Sequence, residues 1–271
     1  MSKPVLYVFV GSVWAKVPEL AVAELGYGDK VEKRVVNLIN GENFAPEFLK
    51  INPNATLPTL TAGGKVYTNT TDVTKYLVEN APINPPSKTN KDLIERIHED
   101  NIDPNFAMLL ARSDEELKAK GGGVPLFFLK NRQDSLLKHA ATVEAKPYED
   151  FYTKKIAGNG GLLSIYNGTA PGEAKDGFFK QSNAHWDNLR VFINSELPAA
   201  LPDHGFIGGD RPGEADFHVG AWLARIVSLF GTDINDLTNN LGGPVPKKVD
   251  TYWKAWSSRD SWKEVYADGL H

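Results

Sequence analysis

Cysteine is absent from the 271-residue chain, and that absence removes more candidate chemistry than any residue present. It excludes disulfides, thiolate metal ligands and every thiol-exchange mechanism that uses the protein's own sulfur. Basic charge is also short: 30 Lys and Arg face 34 Asp and Glu, a formal net charge of −4. No nucleic acid is expected as a partner, because phosphate binding needs clustered Lys and Arg. Apolar runs long enough to span a bilayer are missing, so no membrane partner is expected. Met1-Ser2-Lys3-Pro4 leads into a strand rather than a signal sequence, which predicts a cytoplasmic protein whose sequons at Asn54, Asn69 and Asn167 carry no glycan. The six histidines form no i,i+4 pair with another metal-binding residue type on a clear face, and His98-Glu99-Asp100 reads as a solvated helix turn. No metal is expected. Nor is there a GxSxG elbow on which to anchor Ser-His-Asp hydrolysis.

What is present centres on Asn54 to Lys75, NATLPTLTAGGKVYTNTTDVTK. Thr59 to Thr61 and Lys65 to Tyr67 are rich in β-branched and aromatic residues, and Gly63-Gly64 can supply the positive φ of a two-residue reversal. An antiparallel hairpin follows. Asn69 can cap the next helix through its side-chain oxygen, and Asp72 can return a bond to the Asn69 N–H as in a capping box. Val73, Tyr76 and Leu77 give that helix its apolar face. Pro58 suits a cis bond, which would leave the Leu57 N–H and C=O unpaired at a strand end.

Upstream, the apolar run Val5 to Val10 reads as a central strand, ended by Gly11-Ser12. A helix follows with Val17, Leu20, Ala21 and Leu25 at helical spacing and Gly26 as its stop. Pro18 belongs in a first turn, so this helix should begin near Trp14 or Ala15. Lys33 to Leu38 reads as a second strand and Pro46 to Leu49 as a short helix. This gives a βαβ half followed by a ββα half. Ala81 to Pro86, with three prolines, reads as a linker.

Leu-Pro before a hairpin, then a polar pair at a helix start, resembles the glutathione-binding half of the cytosolic glutathione transferases. The order of elements is similar to their thioredoxin-like fold. The resemblance implies a cis Pro58, a Leu57 backbone that pairs with the cysteinyl unit of glutathione, and an Asn69-Thr70 pair that holds its γ-glutamyl end. The positive end of the helix favours a carboxylate there. Most relatives carry an acid where Asn69 stands, and an amide can accept or donate a hydrogen bond but cannot pair with a charge. Ser12, just before a helix N-terminus, is where serine-type relatives place the hydroxyl that stabilises the thiolate. Tyr7 is its rival, since some classes use a tyrosine on this first strand. Trp14 reads equally as a core-facing residue at the helix entry and as an aromatic wall for a flat acceptor. The stretch Ser12 to Leu20 and the enlarged helical part are similar to a fungal-type serine class related to bacterial lignin β-etherases.

Beyond Ser87 the periodicity is helical. Leu93, Ile94, Ile97 and Ile102 begin a long helix that Pro104 should kink before Phe106, Leu109 and Leu110. Phe178, Trp186, Leu189 and Ile193 mark another helix, and Val249, Tyr252, Trp253 and Trp256 a third, starting at Pro246. Between Gly121 and Gly177 lies an insertion whose Gly158-Asn159-Gly160-Gly161 reads as a loop, with no GK[ST] to make it a phosphate cradle. Gly213-Glu214-Ala215-Asp216 resembles the family's capping box at a buried helix, with Asp216 structural. The expectation is therefore an α+β chain: residues 1–81 a thioredoxin-like glutathione-binding domain, residues 88–271 an all-α domain forming the acceptor site, with an insertion around 121–177. By resemblance it is a glutathione transferase that conjugates or thiolytically cleaves hydrophobic aromatic electrophiles in detoxification, with glutathione as co-substrate, and a homodimer. Binding of polyphenols in the same cleft without turnover is the other reading.

Overall fold

The computed structural model describes residues 3–271; Met1 and Ser2, where the expected leaderless start falls, lie outside the described residues. Four strands, β1 (Val5–Val8), β2 (Glu32–Val35), β3 (Thr59–Ala62) and β4 (Lys65–Tyr67), form one mixed sheet in the order β2-β1-β3-β4. Helices α1 (Val13–Glu24), α2 (Pro46–Leu49) and α3 (Thr70–Glu79) are interspersed with them. Eleven more helices follow: α4 (Lys91–Ile97), α5 (Pro104–Leu109), α6 (Asp114–Gly121), α7 (Val124–Ala140), α8 (Glu149–Tyr166), α9 (Gly172–Val191), α10 (Leu197–Ala200), α11 (Glu214–Ser228), α12 (Thr238–Leu241), α13 (Lys247–Ser257) and α14 (Asp260–Val265). The chain is thus an α+β protein with a thioredoxin-like first part and a largely helical remainder. No helix among the described residues is long and apolar enough to cross a membrane.

By packing the chain forms two compact units. The first takes in the residues up to Arg34, Leu57–Phe106 and His185–His271; the second takes in Val35–Thr56 and Ala107–Ala184.

In the first unit α1 packs against α3, α11 and α14. The helix α11 is buried nearly throughout, and its Gly220 allows the indole of Trp256 to lie where a Cβ would come within 2.9 Å of the ring. Three sequence expectations change here. First, β1 stops at Val8 and Val10 is 43% exposed, so the strand is shorter than its apolar run. The second strand likewise starts and stops earlier than Lys33 to Leu38. Second, α1 begins at Val13, which puts Pro18 in the second turn, because Ser12 caps the helix and pulls its start back. The Trp14 carbonyl consequently loses its ordinary intrahelical donor. Third, the expected long kinked helix is broken in two. Asp103, the residue before Pro104, is extended (ψ 121°), as a pre-proline residue prefers, and Pro104 opens α5 instead of bending a continuing helix. Two smaller shifts also occur: α9 passes into a π-helical turn at Phe192–Glu196 that contains Ile193, and α13 takes Pro246 as its N-cap.

The second unit overturns the reading of Gly158 to Gly161 as a loop. These residues lie inside α8, where buried Asn159 donates to the Leu129 carbonyl at 3.0 Å and to Gln133 Oε1 at 2.7 Å on α7. Each glycine in a helix interior costs about 1 kcal/mol relative to alanine, and this tertiary lock offsets it. Phe44, Leu49, Leu136, Ala145 and Tyr152 form its core, and the Tyr152 hydroxyl donates to the Phe44 carbonyl at 2.6 Å.

Candidate functional site

The sheet register brings the marked residues to one end. β3 runs antiparallel to β1 with Tyr7 opposite Thr59, so the end of β1 lies beside the start of β3. β4 runs antiparallel to β3 with Tyr67 opposite Leu60, so β4 also finishes there. Ser12 follows β1, Leu57 and Pro58 precede β3, and Asn69 and Thr70 follow β4. All five sit in the first unit.

Leu57-Pro58 is a cis peptide, and no backbone hydrogen bond involves Leu57 among the described residues. The reversal between β3 and β4 is made by Gly63 and Gly64 at φ 57° and 78°. Asn69 caps α3, its Oδ1 accepting from the Asp72 N–H at 2.8 Å. The return bond differs from the expected capping box, because Asp72 Oδ2 accepts from the Asn69 side-chain amide at 2.7 Å. With the Asp72 amide taken, those of Thr70 and Thr71 are the first-turn donors open to a ligand carboxylate.

Ser12 is the N-cap of α1 and 8% exposed; its Oγ accepts from the Ala15 N–H at 3.3 Å. That bond uses a lone pair and leaves the O–H free to donate at the positive end of the helix. Tyr7 is buried in mid-strand, with the Arg34 guanidinium near its hydroxyl. Trp14 turns toward α4: its ring lies 4.2 Å from that of His98, and its indole lies beside the Asp103 carboxyl, whose pKa burial raises.

Two features carried no obvious mark in the sequence. Arg225 on α11, 5% exposed, donates from Nη2 to the Gly11 carbonyl at 2.6 Å and so ties down the loop that presents Ser12. A lone arginine in the otherwise apolar Val219 to Val227 was the available signal. His98, expected on a solvated turn, instead meets fully buried His218 with Nε2 2.8 Å from Nδ1. Burial holds both imidazoles well below their ordinary range, His98 to about 4. The folded state thus resists protons that the unfolded chain accepts below pH 6.5, so stability is complete above that pH and is lost as pH falls toward 4. Urea unfolding should lose about 2 kcal/mol between pH 7 and 5 from His98 alone. His98→Gln should flatten that dependence; an unchanged slope would contradict the assignment.

The chain is similar to several known proteins. The family described as glutathione S-transferase, N-terminal domain, matches residues 6–87. The chain is 43% identical over 61 residues to a zeta class glutathione S-transferase of Euphorbia esula, a match covering 22% of this chain and 27% of that protein. It is 27% identical over 241 residues to a tetrachloro-p-hydroquinone reductive dehalogenase of Sphingobium chlorophenolicum, covering 84% and 85% of the two chains. Glutathione transferase F7 from Populus trichocarpa shares the fold with a TM-score of 0.56 and 17% identity over 99% of both chains. Beta-etherase LigF from Sphingobium sp. strain SYK-6 does so with a TM-score of 0.57 and 15% identity over 99% of this chain and 100% of that one.

Proposed function

We propose, from the premise that the chain carries a glutathione S-transferase N-terminal domain and the glutathione transferase fold and so belongs to that family, that it is a serine-type enzyme acting on aromatic electrophiles. The observation that carries this reading is the convergence of Ser12, Leu57 and the α3 N-terminus at one end of the sheet. Residues 1–81 are read as the glutathione-binding domain and 88–271 as the helical domain.

In this reading the free hydroxyl of Ser12 donates to the sulfur of glutathione. A free thiol has a pKa of about 8.5, and each unit of lowering needs about 1.4 kcal/mol of preference for the anion. One hydroxyl donor with a helix N-terminus supplies about one or two units. Leu57 pairs with the cysteinyl unit along its backbone. The Thr70 and Thr71 amides take the γ-glutamyl carboxylate, and Asp72, held beside Asn69, supplies the acid that faces the ammonium group. Tyr7 and Trp14 border the acceptor. The thiolate attacks an electrophilic carbon and expels a halide or aryl oxide. With no cysteine the protein has no thiol of its own to complete a further exchange. The dehalogenase relative, named for a chlorinated hydroquinone, supports an aromatic acceptor.

Steady-state rates with glutathione and an activated aryl halide, run beside dye displacement by polyphenols, test this. Displacement without turnover would favour a binding protein. Glutathione affinity tests the γ-glutamyl site: Asp72→Asn should weaken it roughly fivefold, about 1 kcal/mol, and Asn69→Glu should tighten it. Calorimetry showing neither change would remove this end of α3 from the site. A cytoplasmic location and a twofold homodimer through α3 and α4 complete the proposal, and a monomeric mass by light scattering at micromolar concentration would end the latter.

A further inference from the structure

A pair of cations without an acid lies in the second unit. The guanidinium of Arg132 on α7 sits 5.0 Å over the Phe44 ring and 6.0 Å from that of Phe128. The ammonium of Lys155 on α8 sits 5.8 Å over the Phe151 ring, and the rings of Phe44 and Phe151 are 6.3 Å apart. Among the described residues neither cation has an ion pair or a hydrogen bond. Burial disfavours the charge of both, and the two repel each other.

Five guanidinium donors without an acceptor, beside a second unpaired cation in partly desolvated surroundings, are unfavourable unless an anion joins them. Arg132 is half-buried, and its nitrogens are not among the atoms fully sealed from solvent. The aromatic faces fix the guanidinium plane, and that planar fork matches the two oxygens of a carboxylate. We propose that Arg132 and Lys155 form a binding site for a small organic carboxylate, with Arg132 taking both oxygens, Lys155 adding the second charge, and Phe128 and Phe151 flanking a flat aryl body. The carboxylate is that of a free aryl acid or of glutathione, a choice the experiment makes.

The test is calorimetric titration of sodium benzoate into the full chain. One saturable site is expected, with a Kd of about 1 mM or below. Arg132→Gln should weaken it about tenfold or more and Lys155→Gln by about three- to tenfold, while methyl benzoate should not compete. Both variants should keep the wild-type melting temperature or exceed it, since each removes a cation that has no partner. Should Arg132→Gln not fold, Lys155→Gln with the wild type carries the comparison. Repeating the titration with saturating glutathione assigns the source: loss of the benzoate heat makes the carboxylate glutathione's own, and unchanged heat makes it a separate acid. No benzoate binding, binding that neither variant weakens, or equal competition by methyl benzoate would overturn the site.

Discussion

Replacing Ser12 with alanine should lower conjugation of glutathione to an activated aryl halide by about 10- to 100-fold, while the KM for glutathione stays within about twofold. The split follows from where the hydroxyl acts. In the proposed reading its donation favours the thiolate, whereas the Leu57 backbone and the α3 amides would hold the rest of the tripeptide. Ser12 also caps α1, so the alanine variant loses about 1 kcal/mol of stability as well. Ser12→Thr keeps both cap and donor and should retain activity within about threefold. A rate loss in alanine that threonine does not restore would assign the effect to packing. A rate unchanged in alanine would turn attention to Tyr7.

Asp216→Ala should be the most destabilising single change, at about 3 to 5 kcal/mol. The carboxylate is fully buried and accepts from the Ile207, Gly208 and Gly213 amides at 2.8, 2.9 and 2.8 Å and from the Tyr252 hydroxyl at 2.8 Å. It joins the 206–213 turn, the start of α11 and α13 in one network. Burial pushes its pKa up, and these donors pull against that. Alanine strands all four donors without water. Should that variant fail to fold, Tyr252→Phe removes one bond and should cost about 1 kcal/mol by urea unfolding. Equal stability of Tyr252→Phe and wild type would mean that the network is not a unit.

Features set by neighbouring residues were legible in the sequence. Gly63-Gly64, the Asn69 cap and the Gly213-Asp216 box all depend on groups within a few residues, where dihedral preference and short hydrogen bonds decide the outcome. The residues placed at the end of the sheet followed once the strand order was known. What could not be read depends on distant partners. Glycine spacing alone made Gly158 to Gly161 a loop, but Asn159 finds Leu129 and Gln133 some thirty residues away and holds them in a helix. His98 pairs with His218 across the chain, and Arg225 reaches Gly11 from α11. The return bond of Asp72 was misplaced for a subtler reason, since an Asn cap, unlike Ser or Thr, has its own amide to offer.

Whether Ser12 holds a thiolate is tested most directly by titrating the ultraviolet absorbance of bound glutathione thiolate against pH. In the wild type the thiol should titrate about one to two units below its free value of about 8.5, and in Ser12→Ala it should move back toward that value. Matching titrations in the two proteins would contradict it.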